Sequence, residues 1–155
     1  MDPDAEIKAF GFFRMLIQSN RMLERIMDAE FRQDGLTYKQ WLVIAGINSI
    51  PGGPPSLGEV AGVIGTSHQN VRQLANQLEG KGFIDISRDP EDGRVLRLVT
   101  TAKNARHWAS KDAGHARRVL GMFEGLEDGE VSSLHDLMER FSENVVREYQ
   151  RVARP

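Results

Sequence analysis

The sequence predicts a mostly α-helical protein with one small β-hairpin, the pattern of a winged helix-turn-helix flanked by a long helix at each end. Three observations carry that expectation. Two capping boxes, Thr37-Tyr38-Lys39-Gln40 and Ser56-Leu57-Gly58-Glu59, each open a stretch of helical apolar spacing. A glycine-containing break, Gly65-Thr66-Ser67, separates two short helices. An Asp92-Gly93 turn then lies between two stretches whose apolar residues alternate with period two.

The elements follow in order. Over residues 4–32, Ile7, Phe10, Met15, Leu16, Ile17, Leu23, Ile26, Met27 and Phe31 recur at helical spacing, and Phe12 and Phe13 widen the apolar surface past one stripe. Such a helix needs cover on more than one side, from a tight monomer core or from a second subunit. Glu24, Asp28 and Glu30 read as its solvated face. Leu36 and Trp41 stand at the two positions of a hydrophobic staple around the Thr37 cap. The helix after it ends before Pro51-Gly52-Gly53-Pro54-Pro55, which reads as a surface loop. Leu57, Val60, Ala61 and Ile64 then form one short stripe, and Val71, Leu74, Ala75 and Leu78 the next, closed by Gly80-Lys81-Gly82.

Ile84 and Ile86 mark one strand and Leu96 and Leu98 the other, with Pro90 and Asp92-Gly93 in the turn. A long helix over 100–124 is expected from Ala105, Trp108, Ala109, Ala116, Val119, Leu120 and Phe123, with Asp112 interrupting its stripe. The last helix, 126–152, opens on Glu127 and Asp128 and carries Val131, Leu134, Met138, Phe141, Val145 and Tyr149 as a near-heptad seam. Trp41 and Trp108 are expected in the core, with a place in the lining of a ligand pocket beside Met22 and Phe13 as the alternative.

Composition excludes several classes. The 155 residues suit one domain over 1–155, and 40% hydrophobic with 27% charged is ordinary globular usage. With no cysteine there is no disulfide, thiolate metal site or thiol redox sensor. No apolar run approaches the ~18–20 residues of a membrane span. The acidic start, Met1 to Glu6, is the reverse of a targeting leader, so a cytoplasmic location without membrane attachment is expected. The formal net charge of −2 points to no partner by itself.

Residues 36–99 form the expected winged helix-turn-helix, and the chemistry lies in its second half. In that arrangement the second short helix enters the major groove of DNA. Opposite its buried stripe stand Gln69, Gln73 and Asn76, with Asn70 and Arg72 beside them and Ser67 and His68 at the start. Gln and Asn can contact adenine bidentately, and Arg can contact guanine. A plain solvated helix would more often carry Glu and Lys. Thr66 with Gln69 forms a possible capping box that would occupy Gln69, whereas a Ser67 cap leaves Gln69 available. At the hairpin, Arg94 projects toward a minor groove, and Arg88 and Arg97 either touch phosphates or hold the acidic residues of the wing. From Ser56 to Val99 five basic residues face six acidic ones, a net −1 that predicts weak non-specific binding and a shallow salt slope. Lys39, Lys103 and Arg106 are further cations for flanking phosphates.

The stretch Ser67 to Phe83, ending Leu78-Glu79-Gly80-Lys81-Gly82-Phe83, and the wing Arg88-Asp89-Pro90-Glu91-Asp92-Gly93-Arg94 followed by Val99-Thr100 resemble the multiple-antibiotic-resistance-regulator (MarR) family. The resemblance covers essentially the whole chain. It implies a homodimeric transcription regulator of double-stranded DNA, most often a repressor, with 4–32 and 126–152 as interlocking dimerisation helices. Ser67–Lys81 then reads a pseudo-palindromic site, and Arg94 is the wing arginine. Many relatives bind small phenolic or aromatic acids; nothing in this sequence identifies such an effector. The family places an arginine directly after the wing aspartate, where this chain has Gly93.

Other chemistry has less support. His107, His115, Asp112 and the His135-Asp136 pair offer donors for zinc, but isolated surface histidines are commoner, so no metal or other cofactor is expected. Gly52-Gly53 among prolines is no phosphate loop, and Ser56, Ser67 and Ser110 have no placeable histidine partner, so no enzyme is expected. The rival reading is a protein-interaction module, an antirepressor or adaptor, supported by the net −1 and opposed by the lack of an apolar anchor on the reading face.

Overall fold

The computed structural model describes residues 2–152, with the side chains of Asp112 and Ala113 outside that description. The expected roles of Asp112, as an interruption of the stripe and as a metal donor, therefore fall outside the described residues. The chain divides into two compact units, one ending at His107 and the other starting at Trp108.

In the first unit, α1 spans Pro3–Phe31, capped by Asp2, whose carboxylate accepts from Ala5 N at 2.9 Å. Only Met27 and Phe31 of this helix are buried, so most of its apolar surface is uncovered. A 3-10 turn, Arg32–Asp34, ends at Gly35, whose φ of 68° suits a residue without a Cβ. Helix α2, Tyr38–Ser49, starts from Thr37 with both bonds of the capping box formed. Its first amide has a partner that the sequence did not suggest: Tyr38 N donates to Asp28 Oδ1 at 2.7 Å. Asp28 thus locks α1 to α2 instead of facing solvent, and Glu24 pairs with Lys39 at 3.2 Å. Trp41 is only half-buried, stacked between Phe31 and Tyr38 at 5.6 and 5.8 Å.

Helix α3, Leu57–Ile64, carries the second complete capping box and turns at Gly65 into α4, His68–Gly80. Val43, Ile44 and Ile47 of α2, Leu57, Val60 and Ala61 of α3, and Val71, Ala75 and Leu78 of α4 make the core, closed by Phe83, Ile84 and Leu98. At Gly46 the helices approach so closely that a Cβ would sit 2.9 Å from Ile64 Cγ2.

Strands β1 (Ile84–Arg88) and β2 (Leu96–Thr100) pair antiparallel, Ile86 opposite Leu98. The proline-rich segment is more than a surface loop. Its end adds a third, one-residue rung: Leu98 N donates to Pro55 O at 2.9 Å, and Ser56 bridges to Arg97. Proline has no N–H to offer a ladder, but its carbonyl serves, and Pro55 is buried there.

The long helix expected over 100–124 is instead two, α5 (Ala102–Ala109) and α6 (Asp112–Gly121). Lys111, at φ −120° and ψ −12°, lies outside helical values. The polar run Ser110-Lys111-Asp112 crosses the apolar stripe, so no continuous face rewards carrying the helix through. Trp108, expected in the core, is half-buried.

The second unit comprises α6 and α7, Asp128–Val152. No described residue of α7 is buried: Val131, Met138 and Phe141 are half-covered, and Val145 and Tyr149 are exposed. Among the described residues, no helix is long and apolar enough to cross a membrane.

Candidate nucleic-acid interface

Helix α4 presents the residue types singled out from sequence on one uncovered face. Ser67 is its N-cap, accepting from Asn70 N at 3.2 Å, which decides between the two caps the sequence allowed. Gln69 is therefore not consumed by capping. Asn70 is: its side-chain amide donates to Thr66 Oγ1 at 2.9 Å and steadies the turn into the helix. Val71, Ala75 and Leu78 are fully buried on the opposite side, which fixes the rotation of the helix about its axis. His68, Gln69, Arg72, Gln73 and Asn76 are exposed, and among the described residues their side chains have no hydrogen-bonding partner. The helix's one carboxylate, Glu79, is turned away to accept from Ile86 N at 3.1 Å.

The wing is organised by Asp89. Its carboxylate accepts from Glu91 N at 2.8 Å, Asp92 N at 3.0 Å and Arg97 Nε at 2.6 Å. Bonds from the Asp92 amide, the Arg97 guanidinium and the Glu91 amide lower its pKa to about 2. Arg97 also reaches Pro54 O and Glu59 Oε2, both at 3.3 Å, tying the wing to the start of α3. Glu59 is shifted down chiefly by the Ser56 amide and hydroxyl, and Arg97 upward chiefly by Asp89. Arg88 Nη1 donates to Gly93 O at 2.7 Å across the turn.

Of the two roles open to Arg88 and Arg97, phosphate contact or internal bracing, both side chains make the internal bonds. The Asp89–Arg97 pair supplies that brace even though Gly93 follows the wing aspartate. Arg94 stands apart. Its backbone N–H donates to Asp92 Oδ1 at 3.0 Å, setting the turn, while its guanidinium is exposed and unpaired among the described residues. Two flanking cations are also engaged internally: Lys39 with Glu24, and Lys103 with Lys81 O at 2.6 Å and over the Phe83 ring. Arg106 is exposed.

His107 Nε2 lies 3.8 Å from Asp34 Oδ2, His135 Nδ1 lies 3.3 Å from its neighbour Asp136, and no cluster of three metal-ligating side chains occurs among the described residues.

Sequence reasoning missed the residues that hold the site in place. Asp89 carried a signal in its Asp-Pro turn, but the pairing of Arg97 with both Asp89 and Glu59 spans up to 38 positions and has no local signature. The same holds for buried Gln40, which beyond its capping role donates to Gln77 Oε1 at 2.8 Å.

A buried three-helix core, a polar second helix with an open face and a braced hairpin define a winged helix-turn-helix protein. The comparisons agree. The model of the MarR family matches residues 34–95. The transcriptional activatory protein BadR of Rhodopseudomonas palustris is 34% identical over 108 residues, 68% of this chain and 60% of BadR, so the match spans less than two thirds of that relative. Among solved structures, a MarR protein from Peptoclostridium difficile superposes with a TM-score of 0.82 over 91% of each chain at 21% identity. BpsR of Bordetella bronchiseptica, whose DNA binding is regulated by 6-hydroxynicotinic acid, gives 0.70 over 83% of this chain and 91% of its own at 19% identity. PcaV of Streptomyces coelicolor, solved with its natural ligand, gives 0.66 over 85% and 89% at 23% identity. The chain belongs to the MarR family, a family of transcriptional regulators rather than enzymes.

Proposed function

We propose that the chain is a cytoplasmic, homodimeric transcription regulator that binds double-stranded DNA at a pseudo-palindromic site. One observation carries the reading: Gln69, Gln73 and Asn76 form an exposed face on α4, uncommitted to any described partner, beside a wing whose tip offers the unpaired Arg94. Those side chains have the donor and acceptor pairs that meet adenine N6 and N7, and Arg72 at the edge suits guanine. Ser67 and His68 approach the phosphates at the start of the helix. Arg94 enters the adjoining minor groove. Two such modules related by a two-fold axis read half-sites about one helical turn apart.

Binding over a promoter represses, the usual mode for such a regulator. Binding upstream of one would allow activation, the activity that BadR's name records. Release by a small aromatic acid is part of the proposal, supported by the 6-hydroxynicotinic acid response of BpsR and by the ligand of PcaV.

The adaptor reading rested on the net −1 of residues 56–99. Glu59, Glu79, Asp89 and Asp92 all accept internal hydrogen bonds, so four of the six carboxylates are held by the fold and not spread over the reading face.

Selection of bound sequences from a random duplex pool at near-physiological salt tests the proposal. Enrichment of a two-fold symmetric, adenine-containing motif is expected. Folded protein that enriches nothing would move the function to the adaptor reading.

A further inference from the structure

Gln40 is 3% exposed, one of two buried polar side chains among the described residues, and all of its polar atoms are used. Its carbonyl oxygen accepts from Thr37 N at 3.2 Å and from Lys81 Nζ at 2.9 Å. Both are pure donors, so the orientation of the amide is fixed and its nitrogen must face away from them. There it donates to Gln77 Oε1 at 2.8 Å. Lys81 also donates to the carbonyl of Gly35, in the turn between α1 and α2. One buried amide thus joins the start of α2, the last turns of α4 and the α1–α2 turn.

We infer that Gln40, Gln77 and Lys81 are positioning residues that set the height and roll of the reading helix, and so govern sequence discrimination without touching a base. The inference rests on the DNA reading above. Its physical basis is a difference in directionality. Val71, Ala75 and Leu78 hold α4 by apolar burial, which resists separation but tolerates small slides. Bidentate base contacts need placement to about 0.5 Å. A satisfied hydrogen-bond network in a low-dielectric setting supplies that restraint. Gln77 follows Asn76 directly and lies four residues after Gln73, one turn along the helix, so a shift at Gln77 moves both readers.

The test compares wild type with Gln40→Met, Gln77→Met and Gln77→Glu, using the ratio of affinities for the selected duplex and a scrambled one at fixed salt. Gln40→Met and Gln77→Met are each expected to narrow that ratio roughly tenfold. Gln77→Glu keeps the acceptor for Gln40; its charge weakens both duplexes alike, so the ratio is expected to stay within about threefold of wild type. A purely structural role would lower thermal stability and leave the ratio unmoved.

Folded Gln40→Met at the wild-type ratio overturns the inference. So does Gln77→Glu performing as poorly as Gln77→Met, which would make Gln77 a base contact. Should Gln40→Met fail to fold, the two exposed Gln77 variants decide alone. Wild-type protein with no preferred duplex removes the DNA reading and this inference together; a preference that survives every substitution removes only the inference.

Discussion

The division of labour among the wing arginines shows how one side chain type takes different roles at 2.6 Å and at no contact. Arg97 is held by Asp89 and Glu59, and Arg88 by the Gly93 carbonyl, so neither can leave for a phosphate without breaking the hairpin's own bonds. Arg94 loses nothing internal by binding. Arg94→Ala is therefore expected to weaken all duplexes alike and reduce the salt slope by about one per subunit, read from affinity against salt concentration. Gln73→Ala is expected to cost roughly 1–3 kcal/mol on the selected site and little elsewhere, read from competition with single-base variants. Asp89 has a pH signature. Its carboxyl titrates at about 2, below the ordinary 3.8, so its stabilising bonds are complete above about 3.8 and are lost as pH falls through about 2. The wing should stay braced through mildly acid solution, and an NMR titration of Asp89 should find its midpoint near 2. Residue types on the open face of α4 were legible in the sequence, because Gln and Asn at helical spacing need no fold to be noticed. Their freedom was not, because Asn70 is drawn into the turn by Thr66 and only the arrangement in space shows it.

Helix starts are the most legible elements. Thr37 and Ser56 cap as their capping boxes imply, since a cap involves only residues three apart, whereas local sequence left the cap of α4 open between Thr66 and Ser67. Contacts between elements are less legible. Asp28 reads as solvated and instead satisfies the first amide of α2, ten residues on. Asp28→Ala leaves that amide without its partner and removes a carboxylate from a helix N-terminus; a loss of about 1–2 kcal/mol is expected in urea unfolding. Gly46 is a packing device. Alanine there gains about 1 kcal/mol of helix propensity, but its Cβ would press on Ile64 Cγ2 at 2.9 Å and Val60 Cγ1 at 3.2 Å. Overpacking of about 1–3 kcal/mol outweighs the gain, so Gly46→Ala should lower Tm by a few degrees in calorimetry. The break between α5 and α6 has a different origin: the polar run Ser110-Lys111-Asp112 interrupts the apolar stripe that would carry one helix through.

At the scale of the whole molecule, the dominant feature is apolar surface that the chain leaves uncovered. Ile7 and Phe10 on α1 are 70% and 71% exposed, and Tyr149 on α7 is 72% exposed, with Phe13, Leu137, Val145 and Val146 also open. Burying a large apolar side chain contributes about 1.5–3 kcal/mol, so this open surface favours cover by a second copy, as in the proposed homodimer. Sedimentation equilibrium is expected to give a dimer, and Phe13→Glu with Val145→Glu to shift it toward monomer and abolish selective binding, because one module contacts one half-site. The near balance of charge predicts that affinity depends on salt only weakly.

The sequence by itself determined the capping-box helix starts, the turn at Asp92-Gly93, the apolar faces and the polar residue types opposite the buried stripe of α4, because each depends on neighbours within about four positions. Tertiary structure alone decided which polar groups remain available. Arg97 with Glu59, Gln40 with Gln77 and Asp28 with the Tyr38 amide join residues 38, 37 and 10 positions apart. A hydrogen bond between distant residues leaves no periodic trace in a chain, since its two ends obey separate local patterns and meet only when the core has packed.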